Sequence, residues 1–471
     1  MQYAFVRGPA LRAGSILLLM SVLLCACTPL GQYREKLEPC VSADLENDCQ
    51  EHALQEFKPA DPARAGYRLG FIEIDDQGQL YGSRRDQMHT VITAVANEMA
   101  RDGGQDILNV VFVHGWKHSA APHDDNIATF RAALARLADT ELAVSKATGN
   151  RPRRVFGVYI GWRGLSVTPP VLKEFSFWDR KNTAHEVGHG DVTEVLNRLD
   201  DLRQVKDSLE EDKRSDSRLV VVGHSFGGAV VFSALRQQLA SRFLRTMGPV
   251  GVASDAEGFG NLVVLINPAF QAQLYSSLHD ISTERPSYFP SQLPLLAVLT
   301  SEGDDATRLA FPAGRWFSTL FEKERKVSRF NRVIGKDEEF SQKQANRAAL
   351  GHYAPYRTHY LEASGSAAPA DAPADYSREA ESVLTVSQKW ENDAPGSSIA
   401  FPGSVLTRTA NSAGRNPFLV IRVDRELIHD HNHISDERVA AFITHLILVA
   451  GQSDDPQKRS SSRARGLSEK Q

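Results

Sequence analysis

Apolar positions along this chain fall into short, nearly uninterrupted runs, separated by longer stretches in which apolar and charged positions recur at helical spacing. Ile107–Val113, Val155–Trp162, Leu219–Val222, Leu262–Ile266, Leu295–Leu299 and Phe418–Val423 are such runs, rich in β-branched residues. A strand buried on both faces reads this way. Tyr67–Asp75 alternates instead, as a half-buried strand does, with Leu80–Ser83 as a candidate hairpin partner. The intervening pattern predicts a helix over Asp86–Arg101, stopped by Gly103-Gly104, and a second over Asp124–Ala147. A charged helix over Val192–Lys213 follows, and after the strand Leu219–Val222 a helix-competent stretch from Gly228 continues to about Arg245. The last helix is capped by Ser435-Asp436-Glu437 and reaches Val449. Alternation of buried strands with helices predicts an α/β fold with a mostly parallel central sheet and helices on both faces.

Two stretches break the alternation. Residues 163–215 read as a cap-like insertion carrying Phe175, Phe177 and Trp178, a lid over an apolar pocket or the packing of the insertion itself. Residues 303–415 read as irregular, with a low-complexity Ala/Pro/Asp segment near 367–375. Within them, Gly351–Arg357 is placed by position at the border of a pocket. The Ser/Arg-rich tail, 452–471, has the composition of a disordered, solvated segment. The 471 residues, 42% hydrophobic, can bury a large core in one big domain or two modest ones. The net charge of −4 gives no support for nucleic-acid binding by the whole chain.

The N-terminus stands apart. Arg7 and Arg12 precede an apolar stretch, Ile16–Leu24, too short to read as a membrane span but suited to a secretory signal over residues 1–26. Leu24-Cys25-Ala26-Cys27 resembles a bacterial lipobox. That resemblance implies cleavage before Cys27, lipidation there and attachment to a membrane; Thr28, where an acidic residue would favour the inner membrane, implies the outer membrane, facing the periplasm. Residues 27–65 are polar and proline-bearing and read as a tether, with Cys40 and Cys49 able to close a disulfide loop in an oxidising compartment. The catalytic domain is expected over 66–451.

Gly223-His224-Ser225-Phe226-Gly227 carries the chemistry. It joins a β-branched strand to a helix of small residues, so the serine stands at the apex of a sharp turn where a base and a substrate can reach it from different sides. Flanking glycines suit a chain that doubles back on itself.

With that elbow in place the chain resembles an α/β-hydrolase over about residues 66–451, in three further places. His114-Gly115-Trp116 follows the strand ending at Val113. In similar hydrolases the loop here donates one backbone N–H to the oxyanion and the residue after the nucleophile donates the other, which implies Trp116 and Phe226, with His114 structural. Ser301-Glu302-Gly303-Asp304-Asp305 follows another strand and offers the acid: Asp304 is favoured, ahead of Asp305 and Glu302. His429-Asp430-His431-Asn432-His433 follows the last strand, and a His-Asn-x-Ile pattern in similar hydrolases implies His431 as base, with His433 and then His429 as fallbacks. The order Ser, Asp, His is the order of this fold. The resemblance implies hydrolysis of carboxylic esters or lipids with no cofactor; acyl transfer through the same residues is the alternative, and a non-enzymatic envelope-binding protein a more remote one.

His185-Glu186-Val187-Gly188-His189 matches the zinc-peptidase pattern H-E-x-x-H. Against that reading stand the poor helix propensity of Gly188 and Gly190 and the lack of an apolar lead-in helix. The alternation His429, His431, His433 raises a second metal possibility, because an extended chain would point all three one way.

Overall fold

The computed structural model describes residues 31–450 except 83–84, 102–103, 164–172, 208–215, 247–253, 320–321, 366–374 and 392–393. The signal 1–26, Cys27 and the tail 452–471 lie outside the described residues.

The sequence runs become a 12-stranded sheet. Its strands are β1 (Cys40–Ser42), β2 (Leu54–Phe57), β3 (Tyr67–Glu73), β4 (Ile107–Val113), β5 (Arg154–Gly161), β6 (Arg218–His224), β7 (Leu262–Ile266) and β8 (Leu296–Ser301), then β11 (His359–Ala363), β12 (Ser398–Phe401), β13 (Ser404–Arg408) and β14 (Phe418–Val423). A separate antiparallel hairpin pairs β9 (Lys326–Asn331) with β10 (Lys336–Ser341). The order is β1-β2-β3-β5-β4-β6-β7-β8-β14-β11-β13-β12. From β3 to β11 every neighbouring pair is parallel; the antiparallel pairs lie toward the two edges. The central strands β4, β6, β7 and β8 are buried at every position, as their continuous apolar runs require.

Both faces of the sheet are covered. Helices Asp86–Ala100, Val192–Asp207 and Phe226–Arg245 bury Val91, Leu196 and Val230 against one face. Helices Asp125–Thr148, Tyr376–Gln388 and Glu437–Ala450 bury Leu134, Val383 and Phe442 against the other. Asp124 caps the first of these, its carboxylate accepting the Asn126 N–H at 2.9 Å, and Asp436 accepts the Arg438 N–H at 2.8 Å beside the last.

Three expectations change. The segment read as a tether supplies β1 and β2, which extend the sheet at one edge, and a disulfide joins Cys40 in β1 to Cys49, just after the short helix Leu45–Asp48. Four- and three-residue strands are too short to announce themselves by alternation, so polar composition alone suggested a linker. The stretch 303–415 is built of helices, the β9–β10 hairpin and β11–β13, rather than irregular chain. Leu80 makes only an isolated bridge to Ile74 in place of a hairpin strand.

Candidate active site

Parallel register aligns the strand ends that matter. Val113 lies opposite Gly223, His224 opposite Ile266 and Ser301 opposite Val423, so β4, β6, β7, β8 and β14 all terminate along one edge. Loops leaving the carboxyl ends of parallel strands are where such sheets gather polar side chains.

Ser225 stands on the turn between β6 and the helix Phe226–Arg245, with φ 56° and ψ −120°, a conformation that L-residues avoid. The turn is held because the Ser225 N–H donates to the Ile266 carbonyl at 2.9 Å and its own carbonyl accepts from Ala269 at 3.1 Å. A Cβ on Gly227 would lie 2.0 Å from the Val113 carbonyl oxygen, so only glycine lets the new helix start against β4.

The Ser225 hydroxyl donates to His431 Nε2 at 2.5 Å, and His431 Nδ1–H donates to Asp304 Oδ2 at 2.9 Å. Three loops, after β6, β8 and β14, thus meet in one hydrogen-bonded chain. Asp304 is fully buried. Burial alone would push its carboxyl up, but the His431 bond and charge, followed by the Thr307 bonds, hold it below the ordinary carboxylate range. Thr307 donates to it twice, from its N–H to Oδ1 at 3.0 Å and from its hydroxyl to Oδ2. His352, from the segment expected at the pocket border, donates from Nε2 to the Thr307 hydroxyl at 2.9 Å.

The fallback residues do other things. Asp305 is exposed and paired with Arg308 at 2.5 Å, and Glu302 is paired with Arg422. His429 donates from Nδ1 to the Arg425 carbonyl at 3.0 Å, and His433 is exposed, its ring 5.1 Å from that of His429. With His431, Asp305 and Asp430 these two histidines line an open polar cleft of about 450 Å³.

The loop after β4 lies against the serine. A Cβ on Gly115 would be 2.9 Å from Ser225 Cβ, and Trp116 is the next residue. Phe226, the other predicted N–H donor, is the first residue of the helix after Ser225 and is fully buried. His114 is structural, as expected: Trp162 donates its backbone N–H to His114 Nε2 at 3.0 Å and its indole N–H to the His114 carbonyl at 2.8 Å. Burial pushes its imidazole down to about 4, so it stays neutral near pH 7.

The H-E-x-x-H segment does lie on a helix, Lys173–His189, against the expectation from its glycine. Gly188 is there for packing. A Cβ would sit 2.5 Å from the Val230 carbonyl oxygen, so glycine allows this helix to press onto the helix Phe226–Arg245. His185 Nδ1 lies 2.8 Å from the Ser233 hydroxyl on that neighbour. Among the described residues no group of three His, Cys, Asp or Glu side chains could hold a metal, and this covers the histidines at 429, 431 and 433 too. Phe175, Phe177 and Trp178 begin the same helix; their side chains lie outside the described residues.

Sequence reasoning missed His224, Asn267 and Thr307. Thr307 carried a faint signal, three residues after Asp304, the spacing at which an Asp side chain caps the following turn. His224 and Asn267 carried none.

A model of the alpha/beta hydrolase family matches residues 110–442, a span that includes Ser225, Asp304 and His431. Neither the search of curated proteins nor that of solved structures found a match.

Proposed function

The chain belongs to the alpha/beta hydrolase family, and on that premise we propose that it is a serine hydrolase cleaving carboxylic esters or lipids. The observation that carries this reading is the unbroken chain from the Ser225 hydroxyl through His431 to Asp304, at 2.5 and 2.9 Å. A serine hydroxyl needs an adjacent base to act as a nucleophile, and the base needs an orienting acid. Ser225 Oγ attacks the ester carbonyl while His431 Nε2 takes its proton. The imidazolium is stabilised by the Asp304 carboxylate and returns the proton to the departing alcohol. Backbone N–H groups of Trp116 and Phe226 hold the negative oxygen of the tetrahedral intermediate, a contribution of about 3–4 kcal/mol for each well-aimed donor. Water, activated by His431, then releases the acyl group from Ser225.

The same proposal places the enzyme at a bacterial envelope, held by lipid on Cys27 in the outer membrane and facing the periplasm. The Cys40–Cys49 disulfide supports an oxidising compartment. Among the described residues no helix is long and apolar enough to cross a membrane.

Labelling with a fluorophosphonate probe tests the chemistry: wild type is expected to be labelled at Ser225 and Ser225→Ala to be blank. A folded wild type that takes no label would end the proposal. Mass spectrometry of the mature N-terminus tests the anchor, with an acylated Cys27 expected and an unmodified N-terminus decisive against it.

A further inference from the structure

Resting on the catalytic reading above, we propose that His224 is a positioning residue that sets the main chain of His431, and that it does so as a hydrogen-bond donor at some expense in stability.

His224 ends β6, directly before Ser225, and is buried. Its Nε2–H donates to the His431 carbonyl at 2.9 Å, and Asn267 Nδ2–H donates to the same oxygen at 3.1 Å. Asn267 is itself fixed, because its Oδ1 accepts the Ser301 N–H at 2.9 Å. One carbonyl on the loop after β14 is therefore stitched to the ends of β6 and β7, and through Ser301 to β8. These are the strands that carry Ser225 and lead to Asp304. The loop 429–433 is otherwise exposed at His429, Asp430 and His433. Without the clamp the reach of His431 Nε2 to Ser225 would depend on a surface loop.

Two features separate this clamp from ordinary packing. The first is the far side of the ring. With Nε2–H committed to the carbonyl, Nδ1 is an acceptor, and it is buried without a hydrogen-bond partner among the described residues. Such an atom destabilises a fold, and an apolar side chain of similar size would avoid it. A residue kept for packing alone would not be a histidine here. The second feature is charge. The His224 and His431 rings are 5.4 Å apart. Burial, reinforced by His431, pushes the His224 imidazole down to about 3, so it donates without a positive charge. A lysine or arginine in its place would oppose the imidazolium that His431 must become.

The experiment uses the full-length protein and two variants, His224→Leu and His224→Gln. Leucine removes the donor and the orphaned nitrogen together. Glutamine places an amide N–H near the position of Nε2. The thermal midpoint, the fluorophosphonate labelling rate and the kcat and KM for a soluble ester are measured for each. His224→Leu is expected to keep or raise the thermal midpoint while kcat and the labelling rate fall about 10- to 100-fold with KM nearly unchanged, the size of effect that misplacing a catalytic group produces. His224→Gln is expected to recover most of the lost rate.

A leucine variant that labels at the wild-type rate overturns the inference and leaves the catalytic reading intact. A leucine variant that loses rate only in proportion to lost folded protein, with no recovery in His224→Gln, overturns it in favour of a packing role. Absence of labelling in folded wild type strikes the catalytic reading instead.

Discussion

Two short stretches of this chain look like enzyme signatures, and they meet on the same helix. Gly223–Gly227 leads into Phe226–Arg245, and His185–His189 lies across that helix from it. Both contain a glycine forced by close approach: Gly227 against the Val113 carbonyl, Gly188 against the Val230 carbonyl. Both contain a histidine that burial keeps neutral, pushed down to about 3 at His224 and about 4 at His185. The difference lies in what the rest of the fold delivers to them. The elbow sits at the carboxyl end of β6, where loops from β8 and β14 bring the Asp304 carboxylate and the His431 imidazole into one hydrogen-bonded chain with Ser225. The other stretch faces a helix surface, and its histidine finds Ser233. A motif is a list of side chains; the strand ends around it decide whether those side chains have chemistry to do.

Substitutions at the two stretches should therefore diverge, and the largest effect is expected at the elbow. Ser225→Ala should lower kcat by about 10⁴- to 10⁶-fold without moving the thermal midpoint, measured by ester turnover and scanning calorimetry. Retention of even a tenth of the rate would remove Ser225 from the mechanism. Asp304→Asn should follow, at about 10⁴-fold, because an amide at that position favours the wrong tautomer of His431. A loss under tenfold would return the acid to Asp305 or Glu302.

At the other stretch the expected damage is to stability. Gly188→Leu should destabilise the fold by about 1–3 kcal/mol, since the new side chain must push the helix Lys173–His189 off its neighbour. A variant as stable as wild type would mean that this glycine does not set the packing.

Buried neutral histidines are spread across the fold as well as at these two stretches, and they predict an acid-sensitive fold. His114, His185, His352 and His445 are each pushed from 6.5 down to about 4, by burial first in every case. Between those two values the unfolded chain binds protons that the folded chain refuses, so stability rises with pH across the window. Their contribution is complete above about pH 6.5 and is lost as the pH falls toward 4. A thermal midpoint that is level or rising on acidification through that range would contradict it.

The smallest effect should come from His185→Ala. It removes one hydrogen bond to Ser233, about 1 kcal/mol, and should leave turnover within twofold and indifferent to chelators. Loss of activity there, with metal found in wild type, would invert the comparison.

Much of this architecture was legible from the chain. The buried strands were visible because both their faces are apolar, and the helices because their apolar stripes recur at helical spacing. Ser225 was visible because a glycine-flanked turn between strand and helix is local. Asp304 and His431 were narrower choices among neighbours, separated from Asp305 and His433 by which side chain turns inward, and a loop does not declare that in its composition. Short edge strands such as β1 and β2 were hidden, because three or four residues offer no period to detect.

Local order thus determined the elements, their sequence along the chain and the turn that presents the serine, because φ/ψ preference and apolar periodicity act between residues a few positions apart. The tertiary structure alone decided that the His431 carbonyl meets His224, 207 positions away, that Asp304 faces inward while Asp305 faces solvent, and that the H-E-x-x-H helix packs on its neighbour where a metal site would need a third ligand. Those outcomes depend on sheet register and on which loops share an edge, and no short-range preference in the chain encodes either.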